Sequence, residues 1–180
     1  MNRTAALTQS HGALAGLPVE TPCLLMNLDQ IRAKYAEMES CFPLADIHYA
    51  VKANSEPLIV ETLAGLGCRF DVASPAEVEI CLAAGVPPEH LSYGNTIKKS
   101  ADIAFAYGHG VRLFAFDCEP ELNKLARHAP GSRVICRLST TSHGSCWPLA
   151  RKFGCGAALA EDLLAGCVER GLEPWGVSFH

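Results

Sequence analysis

Residues 69–95, RFDVASPAEVEICLAAGVPPEHLSYGN, contain the pattern that decides the fold. Two short apolar runs, RFDV and LSYG, stand at either end of a segment with helical signals. That segment opens with Ser74, Pro75 and Glu77, which form a capping box with proline at the first helical position. A strand, a helix and a second strand within so short a span predict a βαβ unit with parallel strands.

The same unit repeats along the chain at nearly constant spacing. Strand candidates start at Ile47, Arg69, Leu91, Arg112, Arg133 and Trp175, so the successive intervals are 22, 22, 21, 21 and 42 residues. Helix-like segments lie between them, and an earlier helix over NLDQIRAKYAEMESCF places Leu28, Ile31, Tyr35 and Met38 on one stripe. Repeated βα units predict a parallel sheet covered on both faces, whose strands are continuously apolar.

Two architectures fit this repeat, a (β/α)8 TIM-type barrel and a doubly wound open sheet. The glycine-rich turn of dinucleotide-binding folds and the P-loop are both missing from the sequence. The regular spacing favours the barrel, but six strands are visible and a barrel has eight. We therefore expect residues 21–180 to form an incomplete barrel, preceded by a flexible segment over residues 1–20.

Composition predicts a globular protein. Of the 180 residues, 49% are apolar and 19% charged, so a sizeable core can form. A net charge of −4 without a basic stripe argues against nucleic acid as a partner, and no stretch approaches the roughly 18 apolar residues of a membrane span. Nine cysteines without a C-x-x-C pair predict free thiols in a reducing, cytoplasmic compartment, and neither disulfides nor a metal site.

Polar residues stand where the predicted strands end. They include Lys52, Asp71, Asn95, Arg137 and His180. Because parallel strands point the same way, these ends meet at one face of the sheet, where α/β proteins bind ligands and barrel enzymes hold their catalytic groups. Each residue alone has a structural explanation, since polar residues commonly mark the point where a strand leaves the core. The prediction of a site therefore rests on their joint occurrence.

Lys52 is the polar residue that is hardest to explain structurally. It lies inside the apolar run HYAVKAN, and lysine is almost never fully buried unless it is paired or used chemically. Strand alternation places it on one face with His48, Ala50 and Asn54, inside the mouth of the barrel. Burial there would lower its pKa and give a nucleophilic amine, able to form a Schiff base with an aldehyde of a substrate or a cofactor.

Other polar residues have simpler explanations. Glu77 completes the capping box of its helix, and Asp117 precedes the next helix as a cap. Lys98 and Lys99 are predicted to be a solvated loop pair, and Lys152 a surface charge.

Seven segments occur in an order that resembles a known enzyme family. They are YAVKAN, FDVASPAEVE, YGNTIK, LFAFDCEPELNKL, RVICRL, RKFGC and GVSFH. Over residues 21–180 they are similar to the barrel domain of pyridoxal-phosphate-dependent decarboxylases of the alanine-racemase-like type, above all the ornithine decarboxylases. The resemblance implies pyridoxal phosphate as the cofactor and an amino acid as the substrate, with ornithine giving putrescine and carbon dioxide. It also implies a homodimer in the full-length protein.

The resemblance implies roles for four of the strand-end residues. Lys52 matches the lysine that bonds to the cofactor and later moves protons, and Asp71 matches an acidic residue close to it. Arg137 matches an arginine near the cofactor. His180 matches the histidine whose ring stacks on the pyridine face, so Lys52 and His180 are the implied catalytic pair.

Three further residues match positions whose roles are less defined. Glu77 matches a nearby carboxylate, and Lys152 matches a residue that in relatives reaches across the dimer interface. Asn95 matches the asparagine of the loop after the third strand. That loop departs from the pattern of some ornithine decarboxylases, because Thr96 and Ile97 replace proline and cysteine.

The same resemblance implies that parts of the site lie outside this sequence. In the family, the phosphate-binding loops come late in the barrel, and a C-terminal β-domain supplies substrate contacts across the dimer. We therefore expect an N-terminal portion that lacks this domain and is inactive alone. A diaminopimelate, lysine or arginine decarboxylase, a racemase-like protein of the same barrel class and a non-catalytic truncated homologue stay open as alternatives.

Overall fold

The computed structural model describes residues 24–140 and 152–180, where strands and helices alternate. The strands β1 to β6 are His48–Ala50, Arg69–Val72, Leu91–Tyr93, Leu113–Phe116, Arg133–Arg137 and Glu173–Ser178. The helices α1 to α6 are Leu28–Cys41, Pro57–Ala64, Pro75–Ala83, Ser100–Gly108, Glu119–His128 and Ala157–Glu169. All six predicted strands are confirmed. The segment 1–20 and most of the long loop after β5 lie outside the described residues.

The strands form a single parallel sheet in the order β1-β2-β3-β4-β5-β6. Each strand pairs with the next along the chain, so every crossover is one βαβ unit, and β1 and β6 are the edges of the described sheet. The parallel α/β fold predicted from the spacing is confirmed. Because all six strands run the same way, their carboxyl ends lie along one edge of the sheet.

The core lies between the sheet and its helices. It includes Phe70, Phe114 and Phe116, which are fully buried, and the ring of Tyr93 stacks on Phe114 with centroids 6.1 Å apart. Burial of each large apolar side chain contributes about 1.5–3 kcal/mol. Within the described residues, no helix combines the length and apolar character needed to cross a bilayer.

The helix signals are confirmed in detail at the start of α3. The Ser74 hydroxyl accepts a hydrogen bond from the Glu77 amide at 3.3 Å, and the Glu77 carboxylate accepts one from the Ala73 amide at 2.8 Å. Helix α1 is less covered than its stripe predicts, since it has no buried residue and Met38 is 51% exposed. The stripe contacts the core only through half-buried side chains such as Ile31 and Tyr35.

Candidate functional site

Lys52 does not lie in a strand, which corrects the sequence prediction. β1 ends at Ala50, and Val51–Ala53 form a turn of 3-10 helix that carries the lysine beyond the carboxyl edge of the sheet. The strand alternation used to place it therefore does not reach it. The Lys52 side chain is also exposed, so the prediction that it is buried inside the sheet is wrong.

A cavity of about 270 Å³ at this edge nevertheless brings Lys52 together with the other predicted residues. Its lining residues are Lys52, Asp71, Gly94, Asn95, Thr96, Ala115, Ile135, Arg137, Phe153, Ser178, Phe179 and His180. Apart from Phe153, which belongs to the loop after β5, they lie in or directly after β1 to β6, as expected for a site at the carboxyl edge of a parallel sheet. We call this space the strand-end cavity.

Two of the predicted residues do not line the strand-end cavity. The Glu77 carboxylate is used by the capping box of α3, as its position in the sequence predicted. Lys152 is exposed, with its ammonium 5.3 Å from the centroid of the Phe153 ring. Phe153 does line the cavity, so Lys152 contacts the site from outside through that ring.

A larger cavity, of about 660 Å³, lies between α1 and β1. Its lining is mainly apolar, with side chains such as Leu25, Ile31, Met38 and Leu63. The strand-end cavity is smaller, but amine, carboxylate, guanidinium and imidazole groups converge on it. A few convergent polar groups distinguish a catalytic pocket more reliably than size does.

Asp71 is held close to the main chain of the next strand. A Cβ atom at Gly94 would lie 2.1 Å from Asp71 Oδ1, so this approach requires glycine. The Ser92 hydroxyl donates to Asp71 Oδ1 at 3.3 Å. Desolvation raises the pKa of the Asp71 carboxyl above its ordinary value, while the Ser92 hydrogen bond and the positive charge of Lys52 oppose that rise.

A polar chain leads away from Asp71 into the sheet. His48 Nδ1 lies 3.3 Å from the Ser92 hydroxyl, which in turn bonds Asp71. Burial lowers the pKa of His48, which favours its neutral ring. With Nδ1 as the protonated nitrogen, each group in the chain donates to the next and Asp71 is the final acceptor. Sequence reasoning missed Ser92, whose only signal is that it is a polar residue in an apolar strand.

Replacement of Asp71 by asparagine is expected to stabilise the fold at neutral pH while impairing function. A carboxyl whose pKa is raised by folding binds its proton more tightly in the folded state, so stability falls as pH rises from about 3.9 to the raised value. Asp71→Asn removes this cost. Urea unfolding at pH 7 and at pH 3.5 should show a stabilisation at the higher pH only.

The exposed Asp162 on α6 provides the matched control for that measurement. Asp162→Asn is expected to change the free energy of unfolding by less than about 0.5 kcal/mol at either pH. A destabilised Asp71→Asn variant at pH 7 would contradict the assignment of Asp71 as a desolvated functional carboxyl.

Arg137 and His180 close the far side of the cavity. Arg137 ends β5, and its guanidinium lies 5.5 Å from the centroid of the Phe153 ring, within the range of a cation–π contact. His180 follows β6, and its carbonyl accepts a hydrogen bond from the Thr140 hydroxyl at 2.9 Å. A cation and an imidazole therefore face the lysine and carboxylate contributed by β1 and β2.

Asp117 was predicted to cap a helix, and this prediction is wrong, because its carboxylate binds the loop that contains Phe153. Cys118 is the residue that precedes α5, and no side chain caps that helix. The Asp117 carboxylate instead accepts a hydrogen bond from the Gly154 amide at 2.8 Å. Gly154 has φ +98°, and a Cβ atom there would lie 2.6 Å from the Ser139 amide nitrogen, so the close approach depends on glycine.

Lys98 was wrongly predicted to be solvated. Its side chain is fully buried next to the cavity, where it pairs with Glu121. Asn95, by contrast, is exposed and lines the cavity, and its side-chain amide donates to the Ala73 carbonyl at 3.2 Å. No local pattern distinguishes the buried Lys98 from the exposed Lys99 beside it, because Lys98 lies in a loop and its partner, Glu121, lies on α5.

Comparison with known proteins places this geometry in a family. The family model for the pyridoxal-binding domain of pyridoxal-dependent decarboxylases matches residues 28–180. A lysine/ornithine decarboxylase of Selenomonas ruminantium is 37% identical over 162 residues, covering 90% of this chain and 41% of that protein. Ornithine decarboxylase of Rattus norvegicus is 35% identical over 154 residues, covering 86% of this chain and 33% of that protein.

A solved structure shows the same fold. The lysine/ornithine decarboxylase of Vibrio vulnificus, complexed with putrescine, aligns over all of this chain with a TM-score of 0.83 and 28% identity, and 47% of that chain is covered. This chain thus spans between a third and a half of the relatives that it matches. The resemblance found in the sequence is confirmed, and so is pyridoxal phosphate as the cofactor of the family. With its parallel sheet, its strand-end cavity and this match, the chain belongs to the pyridoxal-dependent decarboxylase family, in the region of the pyridoxal-binding domain.

Proposed function

We propose that this chain forms the cofactor-binding part of an amino-acid decarboxylase that converts ornithine to putrescine and carbon dioxide. The observation that carries the proposal is the convergence of Lys52, Asp71, Arg137 and His180 on one cavity. Family membership gives these groups a chemistry, since pyridoxal phosphate requires an amine for its aldehyde and charged or aromatic groups around its ring and phosphate.

The residues present fit this cofactor. Lys52 supplies an exposed amine at the cavity mouth, within reach of a bound aldehyde. Arg137 supplies a guanidinium suited to an anionic group. Asp71 supplies a carboxylate beside them, and Thr96, whose buried hydroxyl has no partner, also lines the cavity.

Lys52 is assigned the covalent attachment of the cofactor and the later movement of a proton. Lys52 lies in a short 3-10 turn directly after β1, which positions its main chain. Its exposed side-chain amine stays accessible to an aldehyde. The Asp71 carboxylate lies close enough for the charge of Lys52 to influence its pKa. We assign to Asp71 the electrostatic positioning of the Lys52 amine.

His180 and Arg137 are assigned to hold the cofactor from the opposite side. The imidazole of His180 provides a flat ring that can stack on an aromatic ring. Arg137 provides a permanent positive charge next to the Phe153 ring. Pyridoxal phosphate held there would supply an electron sink for the loss of the substrate carboxylate as carbon dioxide. The proton that takes the place of the carboxylate would come from Lys52, to which that transfer is assigned above.

Ornithine is proposed over lysine, diaminopimelate and arginine on the strength of overall likeness. The relatives reported above carry ornithine in their names, and in two cases lysine as well. Assay of the full-length protein that carries these residues, with each of the four amino acids at equal concentration, should give the highest kcat/KM with ornithine. A higher value with another amino acid would replace ornithine in the proposal without touching the cofactor chemistry.

We further propose a homodimer in the full-length protein and a cytoplasmic location. The dimer is supported by the resemblance, since Lys152 matches a residue that in relatives reaches across the dimer interface, and the exposure of Lys152 is compatible with that role. A reducing compartment is supported by the free thiols of the seven described cysteines. In gel filtration, the full-length protein at micromolar concentration should elute at the size of two chains.

A further inference from the structure

The loop after β3 is fastened to the sheet by one buried ammonium. The Lys98 side chain is fully buried, and its Nζ donates to the carbonyl of Asn95 at 2.7 Å and to the carbonyl of Ala115 at 2.5 Å. Asn95 belongs to the loop and Ala115 to β4, and both line the strand-end cavity. Lys98, which does not itself line the cavity, therefore links two cavity-lining segments, the loop after β3 and strand β4.

Glu121 on α5 provides the negative charge that offsets the cost of burying the Lys98 ammonium. Its carboxylate lies 3.1 Å from Lys98 Nζ, accepts from the Lys98 amide at 3.1 Å and is only 2% exposed. Burial lowers the pKa of Lys98 to about 8, and the charge of Glu121 opposes that fall. Lys124 also pairs with Glu121, at 2.6 Å, and donates to the Lys98 carbonyl.

We propose that Lys98 is a positioning residue, whose bonds to the Asn95 and Ala115 carbonyls hold the wall of residues 94–96 in the shape that receives the cofactor. This inference rests on the proposed function, because it assigns a role toward the same cavity. Lys98 does not itself react, since its ammonium has no accessible surface. Its effect passes through Gly94, against which Asp71 packs, and through Asn95 and Thr96.

A role in stability alone would not need this arrangement. Glu121 already has Lys124 as a counter-charge, so a second lysine is not required to neutralise it. A buried pair is weak evidence for stability, because its desolvation cost is comparable to its attraction. What Lys98 adds is a donor to two main-chain carbonyls, one in the loop after β3 and one in β4, which no other described side chain supplies to them.

The test compares two variants that share one background. Glu121→Gln removes the buried carboxylate but keeps the bonds from Lys98 to both carbonyls. Lys98→Met in the Glu121→Gln background then removes those bonds together with the ammonium, so that the double variant holds neither charge of the buried pair. Lys124→Met is the control variant, because it removes a lysine from the same carboxylate and its bond to the Lys98 carbonyl but spares the Asn95 and Ala115 carbonyls.

Three measurements are made on the full-length protein. They are the Kd for pyridoxal phosphate by absorbance titration, the KM and kcat of decarboxylation, and hydrogen exchange of the amides of residues 93–98. Lys98→Met/Glu121→Gln is expected to weaken cofactor binding by about 10- to 100-fold relative to Glu121→Gln, because small displacements of a positioning wall have effects of that size. It should also speed exchange in residues 93–98.

Lys124→Met should stay within about threefold of the wild type in cofactor affinity, and Glu121→Gln should bind the cofactor more tightly than the double variant because it keeps both bonds to the carbonyls. Equal affinity and equal loop exchange in Lys98→Met/Glu121→Gln and Glu121→Gln would overturn the inference. If the double variant does not fold, Lys98→Gln in the same background carries the test, since its shorter amide cannot reach both carbonyls.

The outcomes separate this inference from the proposed function. A wild-type protein that takes up no pyridoxal phosphate contradicts the proposed function, and loop exchange, which needs no cofactor, still tests whether Lys98 fastens the loop. A wild-type protein that binds the cofactor, beside a double variant that binds it equally well, contradicts the inference alone.

Discussion

Replacement of Lys52 by alanine is expected to abolish the covalent attachment of pyridoxal phosphate and to lower kcat for decarboxylation by about 10³-fold or more. The reason is that one amine serves both as the nucleophile for the cofactor aldehyde and as the group that moves a proton, and loss of either role alone has effects of about this size. Stability should change little, because the Lys52 side chain is exposed. Steady-state assay and visible absorbance of the full-length protein give both readouts.

Lys99→Ala is the control for this substitution. Lys99 is exposed on the loop after β3 but does not line the strand-end cavity. Its loss should leave kcat within about twofold of the wild type, as for most surface substitutions away from a site. A Lys52→Ala protein that keeps the visible absorbance of the bound cofactor would show that another lysine forms the bond.

Replacement of Gly94 by alanine is the second substitution with a large expected effect. The new methyl group would fall 2.1 Å from Asp71 Oδ1 and 2.7 Å from its Cγ, so the carboxylate must leave its place beside the main chain. The cost is steric, because Gly94 does not have a positive φ. Since Asp71 lies beside Lys52, we expect kcat/KM to fall by about 10- to 100-fold.

Gly108→Ala separates this clash from the general effect of replacing a glycine. Gly108 ends α4, and a Cβ atom there would meet nothing within 4 Å. Its replacement should keep full activity and leave stability unchanged or raised by up to about 1 kcal/mol, since alanine has the higher helix propensity. Equal activity in Gly94→Ala and Gly108→Ala would mean that the position of Asp71 does not matter for the reaction.

The fold was predictable from the sequence because its signals are local and repeated. An apolar run, a capping signal and a glycine recur at an even interval, and each marks the start or end of an element whatever the rest of the chain does. The convergence of Lys52, Asp71, Asn95, Arg137 and His180 followed from topology alone, since parallel strands place their ends at one edge.

The features that sequence reasoning missed depend on contacts between elements. Whether Lys98 is solvated is decided by Glu121 on a helix more than twenty residues away, which no window around the loop contains. Asp117 has the position of a cap, but its hydrogen bond goes to a distant loop amide. Lys52 was assigned to a strand because HYAVKAN follows the strand pattern without a break, and the 3-10 turn that begins at Val51 contains no glycine or proline to mark it.

The most direct test of the central claim is to find which lysine bonds to the cofactor. The full-length protein is incubated with pyridoxal phosphate, reduced with borohydride so that the bond becomes permanent, digested and mapped by mass spectrometry. We predict near-stoichiometric modification at Lys52, with Lys98 unmodified because its amine is buried and Lys99 modified only at the level of other surface lysines. Stoichiometric modification at any other lysine, or none above that surface level at Lys52, would contradict it.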